Sequence, residues 1–211
     1  MYKKERKLKM TELQEKRMAG EYEVFQAISV GLVEIVMGDN PNAEPEERYM
    51  CAICTSNDLF AQYRDIYVSE DYAEILELYG QRVAGEAEKL LNEVAEIKEQ
   101  GIDDTPLTDA GFQPLSPEDD LNGKVVVIRA DVLKKEYQRA TRQLQLVTGG
   151  FGASPNSRGT ACYCKNLYSG KQERFERWDV LGIVDRENLP DWAKDGLRRI
   201  EQERKRDKEA R

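Results

Sequence analysis

The sequence predicts an α+β protein in which an acidic helical N-terminal region is followed by a small, mostly antiparallel β domain with a C-terminal helix. Three observations lead to this fold class. A long apolar stripe at helical spacing follows Ser69, a stretch rich in proline and acidic residues comes next, and short strand-like apolar runs begin at Lys124. The predicted divisions are a basic arm over 1–20, an acidic helical domain over 21–101, a linker over 102–123 and a β-rich domain over 124–211.

The predicted elements of the acidic domain start with residues 21–37. Their apolar residues fit helical spacing, although the β-branched side chains leave a strand open. After a proline-containing loop, Tyr49 to Cys54 is predicted as a short strand, and residues 57–67 as a short helix.

The clearest predicted helix begins after Ser69, a good N-cap residue, and stops at Gly101. Gly80 and Gly85 weaken this helix, so a kink or break is open there. Its apolar residues recur every three or four positions and define one face. That face consists of Tyr72, Leu76, Tyr79, Val83, Ala87, Leu90, Val94 and Ile97.

The predicted β-rich domain starts with the run 124–130, continues with a strand over 144–148, and has a glycine-rich loop over 149–159. The tight turn Ser169-Gly170 predicts a hairpin between residues 160–167 and 173–184. A last helix is predicted near Pro190, because proline suits the first turn of a helix. Its core-facing residues are Leu189, Ala193, Leu197 and Ile200.

Charge falls in blocks along the chain. Residues 1–17 carry seven Lys/Arg and three Asp/Glu, residues 18–123 carry five and 24, and residues 124–211 carry 20 and 13. The middle block, at net −19, repels nucleic acid and attracts basic clefts of other proteins. Two alternatives explain the same pattern: the acidic residues keep the protein soluble, or the acidic half of the chain docks on the basic half. The carboxylates predicted to contact a basic partner are Glu74, Glu77, Glu86, Glu88 and Glu93.

Histidine is absent, which excludes every histidine-based general base, catalytic pair or metal site. We therefore expect no enzymatic activity, no cofactor and no catalytic residue. The first 17 residues are charged throughout, without the apolar core of a secretory signal, and no apolar stretch is long enough to span a bilayer. These features predict a cytoplasmic protein that does not enter the membrane.

The four cysteines occur as Cys51-Ala-Ile-Cys54 and Cys162-Tyr-Cys164. Four thiolates would complete a structural zinc site, but the pattern favours buried, reduced cysteines that pack in the core, so no metal site is predicted. The glycine-rich loop, TGGFGASPNSRG, fails both nucleotide-binding patterns, so it is either a small anion nest near Arg158 or a structural loop.

The hairpin interleaves aromatic and basic residues, as nucleic-acid-binding faces do. The alternative is that its aromatics pack inward while its cations face water. The residues of this pattern are Tyr163, Tyr168, Phe175 and Trp178 with Lys165, Lys171, Arg174 and Arg177. The basic residues predicted to contact RNA or DNA are Arg158, Lys165 and Arg174.

The motifs TGGFG, SPNSRG, NLYSG and WDVLG, between Leu146 and Trp192, resemble an uncharacterised domain of gut Firmicutes. That domain is found on integrative conjugative elements, plasmids and phages, and the resemblance carries no catalytic residues. It implies a mobile element, and such elements encode acidic inhibitors of host defence. We therefore expect an anti-CRISPR protein that binds a CRISPR effector nuclease, or its guide-RNA complex, by charge mimicry. The alternative is an accessory nucleic-acid-binding protein of a conjugative element, acting through its basic C-terminal domain.

Overall fold

The computed structural model describes residues 16–56, 60–108 and 112–209. The chain divides into two compact units, Met1–Leu91 and Asn92–Arg211. Each unit is built on its own antiparallel sheet. The prediction of an acidic helical N-terminal region is therefore wrong: the protein is mostly antiparallel β, with one long helix in the middle and one at the C-terminus.

Unit 1 contains a five-stranded meander in which each strand pairs with the next one along the chain. Its first two turns begin at Gly20 and Gly31, both at positive φ, a backbone conformation that glycine adopts without steric cost. The strands are β1 (Met18–Ala19), β2 (Tyr22–Val30), β3 (Val33–Asp39), β4 (Tyr49–Ser56) and β5 (Ala61–Ser69).

The helix predicted over residues 21–37 is a β-hairpin, made of β2 and β3. Ile28 and Ile35, seven residues apart and thus on one face of a helix, instead lie opposite each other as a cross-strand pair. The helix predicted over 57–67 is also wrong from Ala61 onward, where β5 begins, while residues 57–59 lie outside the described residues. The strand predicted from Tyr49 to Cys54 is confirmed by β4. Of the predicted basic arm, residues 1–15 also lie outside the described residues.

The long helix is confirmed as α1 (Tyr72–Glu99), and it runs through both Gly80 and Gly85. Its N-cap is Asp71 rather than Ser69, since the Asp71 carboxylate accepts a 2.8 Å hydrogen bond from the Ala73 amide. Gly101 ends it as predicted: Gly101 has a φ of 69°, and the Ile102 amide donates to the Ile97 carbonyl.

The packing face of α1 in unit 1 differs slightly from the predicted stripe. Ile75 is fully buried against the sheet, while the neighbouring Tyr72 and Leu76 remain exposed. Leu78, Tyr79 and Val83 complete this face, together with Ile35, Met37 and Cys51 of the sheet.

Unit 2 contains a six-stranded sheet in the order β10-β9-β8-β7-β11-β6, preceded by the last residues of α1. Its elements are β6 (Gln113–Pro114), β7 (Val125–Ile128), the short helix α2 (Ala140–Gln143), β8 (Leu144–Gly149), β9 (Ala161–Asn166), β10 (Gln172–Glu176), β11 (Val180–Val184) and α3 (Asp191–Glu209).

The sheet of unit 2 is covered on both faces, which explains why β7 is apolar at every position. On one face, Val125 and Val127 join a cluster with α3, whose predicted core residues Leu189, Ala193, Leu197 and Ile200 are all buried there. On the other face, Val126 and Ile128 pack with loop residues that include Leu121 and Ala153.

The hairpin prediction is confirmed for β9 and β10, which pair from Ala161–Glu176 to Lys165–Gln172. Residues 180–184 do not continue it, because the chain turns at Arg177–Asp179 and β11 pairs with β7. The strand predicted over 144–148 is confirmed by β8, and the one predicted over 124–130 is confirmed for Val125–Ile128, after which a helical turn begins at Ala130. Residues 102–123, predicted as a linker, lie within unit 2, where Leu121 is fully buried and β6 pairs with β11.

Candidate functional site

Three of the five nominated glutamates share one exposed face of α1. At about 100° per residue, Glu74, Glu77 and Glu88 fall within an arc of about 60°, and all three are exposed. The Ser69 and Tyr67 hydroxyls each donate a 2.6 Å hydrogen bond to Glu74, which lowers the pKa of its carboxyl. Glu86 lies on a different face of α1 from these three residues. Its side chain is largely buried and is ion-paired to Lys89 at 2.6 Å.

Glu93 is partly buried and ion-paired within unit 2. Arg142 Nη2 contacts both of its carboxylate oxygens, at 2.6 and 2.8 Å, and Arg139 Nη2 donates to it at 2.7 Å. Both arginines are only 8% exposed, and the Arg142 guanidinium lies 4.3 Å from the centroid of the Tyr137 ring. Glu93 is therefore neutralised by the chain itself and is a structural residue, not a surface contact for a partner.

Two of the nominated cations are also partnered within unit 2. Lys165 is 3.3 Å from Glu203 of α3, and Arg174 pairs with Glu176 at 2.6 Å. Arg158 is exposed in the glycine-rich loop. Arg177, which the hairpin pattern also contained, donates to the carbonyls of Gly152 and Asp119 at 2.7 and 2.8 Å and so holds two loops together.

The glycines of the loop allow it to lie directly on β9. A Cβ atom at Gly150 would stand 2.3 Å from the Ala161 carbonyl oxygen, and one at Gly152 would stand 2.0 Å from that of Thr160. Gly150 also has a φ of 107°. Close backbone packing thus explains why these positions are glycine, which supports the structural-loop interpretation over the anion nest.

The cysteines are all buried and reduced. Cys51 and Cys54 pack on opposite faces of β4, in separate clusters, because residues three apart in a strand point in opposite directions. Cys162 and Cys164 share one face of β9, and burial raises the pKa of Cys164 to about 12. Because Cys51 and Cys54 face opposite sides of β4, they do not form a ligand pair for one zinc ion. Among the described residues, no group of three potential metal ligands is found.

Three exposed rings belong to segments whose backbones contact one another near the start of β9, and they are here called the aromatic surface. Phe151 is 78% exposed, Trp178 is 62% exposed and Tyr163 is 46% exposed. Such large apolar side chains in solvent point to an interaction surface when they occur together.

Local contacts hold these rings in place. Phe151 stands over Gly159, where a Cβ atom would lie 2.5 Å from the Phe151 Cβ. Trp178 follows Arg177, whose amide donates to the Thr160 carbonyl at 2.7 Å. Tyr163 pairs with Gly149 on one side and with Arg174 on the other.

Sequence reasoning named Tyr163 and Trp178 as candidates but missed Phe151. The available signal was a large apolar residue between two glycines, where no strand or helix pattern requires one.

In comparison with known proteins, no family model matches the chain, and neither the curated proteins nor the solved structures contain a match. None of the helices in the described residues has the length and apolar character needed to cross a membrane.

Proposed function

We propose that this chain is an accessory nucleic-acid-binding protein of a mobile element, and that unit 2 binds single-stranded DNA or RNA. The observation that carries the proposal is the aromatic surface: Phe151, Tyr163 and Trp178 stand in solvent around one end of β9. Phe151 and Trp178 lie in the motifs TGGFG and WDVLG, which also carry the resemblance to a domain of conjugative elements. Stacking on aromatic rings suits single strands, since every exposed base has a π-face.

Cations surround these rings. Arg174 is the cross-strand neighbour of Tyr163, and Arg158 is exposed in the adjoining loop. Helix α3 runs along β9, because Arg199 donates to the Tyr168 carbonyl and Glu203 pairs with Lys165. Advancing one further turn, about 5.4 Å, brings Arg206 of α3 toward the level of Tyr163.

The charge of this region favours a polyanion. Residues 124–211 carry 20 Lys/Arg against 13 Asp/Glu. Phosphate contacts by exposed arginines and lysines release counterions, so binding through this surface weakens steeply as salt rises.

Replacing any one ring by alanine is expected to weaken binding of single-stranded DNA or RNA about 5- to 150-fold, since one base stacked on an aromatic side chain contributes about 1–3 kcal/mol. The variants are Phe151→Ala, Tyr163→Ala and Trp178→Ala. Fluorescence anisotropy with labelled oligo-dT and oligo-rU of about 20 nucleotides, longer than one such site, measures the affinity at two salt concentrations.

The matched control is Leu32→Ala, which removes an exposed apolar side chain from unit 1 and should leave the affinity unchanged. Thermal melting of each variant checks that the fold is kept. Wild-type affinity in a stably folded Phe151→Ala/Tyr163→Ala/Trp178→Ala variant, or a wild-type protein that binds neither probe at low salt, contradicts the proposal.

A second candidate function is inhibition of a CRISPR effector nuclease by an acidic surface. It is supported by the row Glu74, Glu77 and Glu88, which lies on the solvent side of α1, and by the excess of carboxylates in residues 18–123. Such a surface complements a channel of lysines and arginines that otherwise holds nucleic acid. Glu86 and Glu93 are ion-paired within the chain and do not belong to this row, so the row is shorter than the sequence predicted.

Plasmid interference in a bacterial host with an active CRISPR system tests this second candidate. Protection of the plasmid is expected with the wild-type chain and lost with Glu74→Gln/Glu77→Gln/Glu88→Gln, because three charges of the row are removed. The control variant Glu118→Gln/Glu187→Gln/Glu209→Gln removes three exposed charges from unit 2 and should retain protection. If neither the wild type nor the control protects the plasmid, the candidate is rejected.

A further inference from the structure

Unit 1 contains an open recess of about 510 Å³, between the β1–β2 turn, the β3–β4 loop, and strands β4 and β5. This recess, here called the Tyr22 recess, has Tyr22 and Tyr63 among its walls. Met50 and Ala19, both buried in the core of unit 1, also line it. Its volume lies in the range of sites that hold small ligands or anchoring side chains.

The charged residues that line the Tyr22 recess are all acidic. They are Glu21, Glu44 and Glu47, and the part of the chain that the structure describes contributes no lysine or arginine to the lining. The pKa of Tyr22 is raised by burial and by the negative charges of Glu47 and Glu21, so these carboxylates act on the wall of the recess itself. The Tyr22 hydroxyl donates a 2.7 Å hydrogen bond to the Glu47 carbonyl, which fixes the loop that carries two of the three glutamates.

Beside this recess, the chain already binds the guanidinium group of Arg17 through a tyrosine and a glutamate. Arg17 Nε donates to the Tyr63 hydroxyl at 3.1 Å, and Arg17 Nη2 donates to Glu34 at 2.6 Å. The guanidinium carbon lies 5.9 Å from the centroid of the Tyr63 ring. Tyr63 therefore serves both this internal arginine site and the neighbouring recess, where the described residues provide carboxylates but no lysine or arginine.

We infer that the Tyr22 recess binds an arginine side chain presented by a basic segment of a partner protein. The tyrosine rings accept the flat guanidinium and its aliphatic stem, and the three carboxylates supply the opposite charge. This site is separate from the aromatic surface of unit 2, and it stands whether or not that surface binds nucleic acid.

The probe is a short acetylated Gly-Arg-Gly-Arg-Gly peptide, added to the full-length ¹⁵N-labelled protein and followed by NMR. Its matched control is the same peptide with citrulline in place of arginine, which keeps the shape and removes the charge. We expect the arginine peptide to shift the amide signals of Gly20, Asn42 and Ala43. The citrulline peptide should bind at least tenfold more weakly.

Two triple variants separate the recess from general acidity. Glu21→Gln/Glu44→Gln/Glu47→Gln should weaken binding of the arginine peptide at least tenfold. Glu74→Gln/Glu77→Gln/Glu88→Gln removes the same charge from α1, which packs on the face of the sheet opposite to Met50 and Tyr22, and should leave the affinity within about twofold of wild type. Salt at 0.1 M screens exposed charges with a Debye length of about 10 Å. Equal loss in both variants, or equal binding of the citrulline peptide, overturns the inference.

The basic N-terminal segment of the chain is a competing occupant. In that case the wild-type protein does not bind the peptide, and the Glu21→Gln/Glu44→Gln/Glu47→Gln variant shows shifted amide signals for residues 1–15. These two results together would mean that the N-terminal segment fills the recess. This result also overturns the inference.

Discussion

Glu93→Ala is expected to lower the free energy of unfolding of unit 2 by about 3 kcal/mol. The change leaves Arg139 and Arg142, both buried, without the carboxylate that they share. Removing one partner of a buried ion pair costs about 3–5 kcal/mol, and the lower end applies because Glu93 keeps 26% of its side chain exposed. Urea unfolding followed by circular dichroism measures the loss.

The neighbouring Glu88→Ala provides the matched control, because Glu88 is an exposed carboxylate on the same helix. Its effect should stay within about 0.5 kcal/mol. The double variant Glu93→Ala/Arg142→Met should lose less stability than the two single changes added together, since the second change removes a charge that the first left unpaired. Similar stabilities for Glu93→Ala and Glu88→Ala would show that the ion-pair network contributes little.

Gly196→Ala is expected to destabilise unit 2 by about 2–3 kcal/mol, although alanine is the better helix former. An added Cβ atom would stand 1.9 Å from the carbonyl oxygen of Leu167, which is backbone and cannot move aside as a flexible side chain does. Helix α3 therefore has to shift away from the sheet, and Leu197 and Ile200 lose contacts in the core. The midpoint of urea unfolding measures this change.

The same substitution has the opposite sign in α1. At Gly80 and Gly85 an added Cβ atom meets nothing within 4 Å, so Gly80→Ala and Gly85→Ala should each stabilise the protein by about 0.5–1 kcal/mol. The three variants thus share one change in helix propensity and differ in what surrounds the new methyl group. Stabilisation by Gly196→Ala would contradict the close approach of α3 to Leu167.

The elements that the sequence predicted well are those whose determinants lie within one turn or one hairpin. Gly101 stops α1 through its own backbone conformation, and Ser169-Gly170 turns β9 into β10. The apolar spacing from Leu189 to Ile200 defines the buried face of α3 without reference to any other element.

The hairpin of β2 and β3 shows where such reasoning fails. Its apolar residues match a helical period by coincidence, because Ile28 and Ile35 are seven residues apart, about two helical turns, and also face each other across a short turn. Pairing of β3 with β4 on its other side adds a full ladder of backbone hydrogen bonds that no local pattern reveals. Tertiary pairing therefore overrides a marginal helix propensity in this segment.

The sequence by itself determined the long central helix, the C-terminal helix, the β9–β10 hairpin and the blocks of charge, because each depends on neighbours along the chain. Only the tertiary structure decided which charges and rings remain available. Glu88 and Glu93 are both acidic residues of the same predicted helix, yet only Glu93 meets Arg139 and Arg142, 46 and 49 residues further along the chain. Phe151 stays in solvent for a comparable reason: the glycine-rich loop around it lies against a strand that begins ten residues later. Burial and ion pairing are properties of distant segments brought together, so they are set by the fold rather than by local spacing.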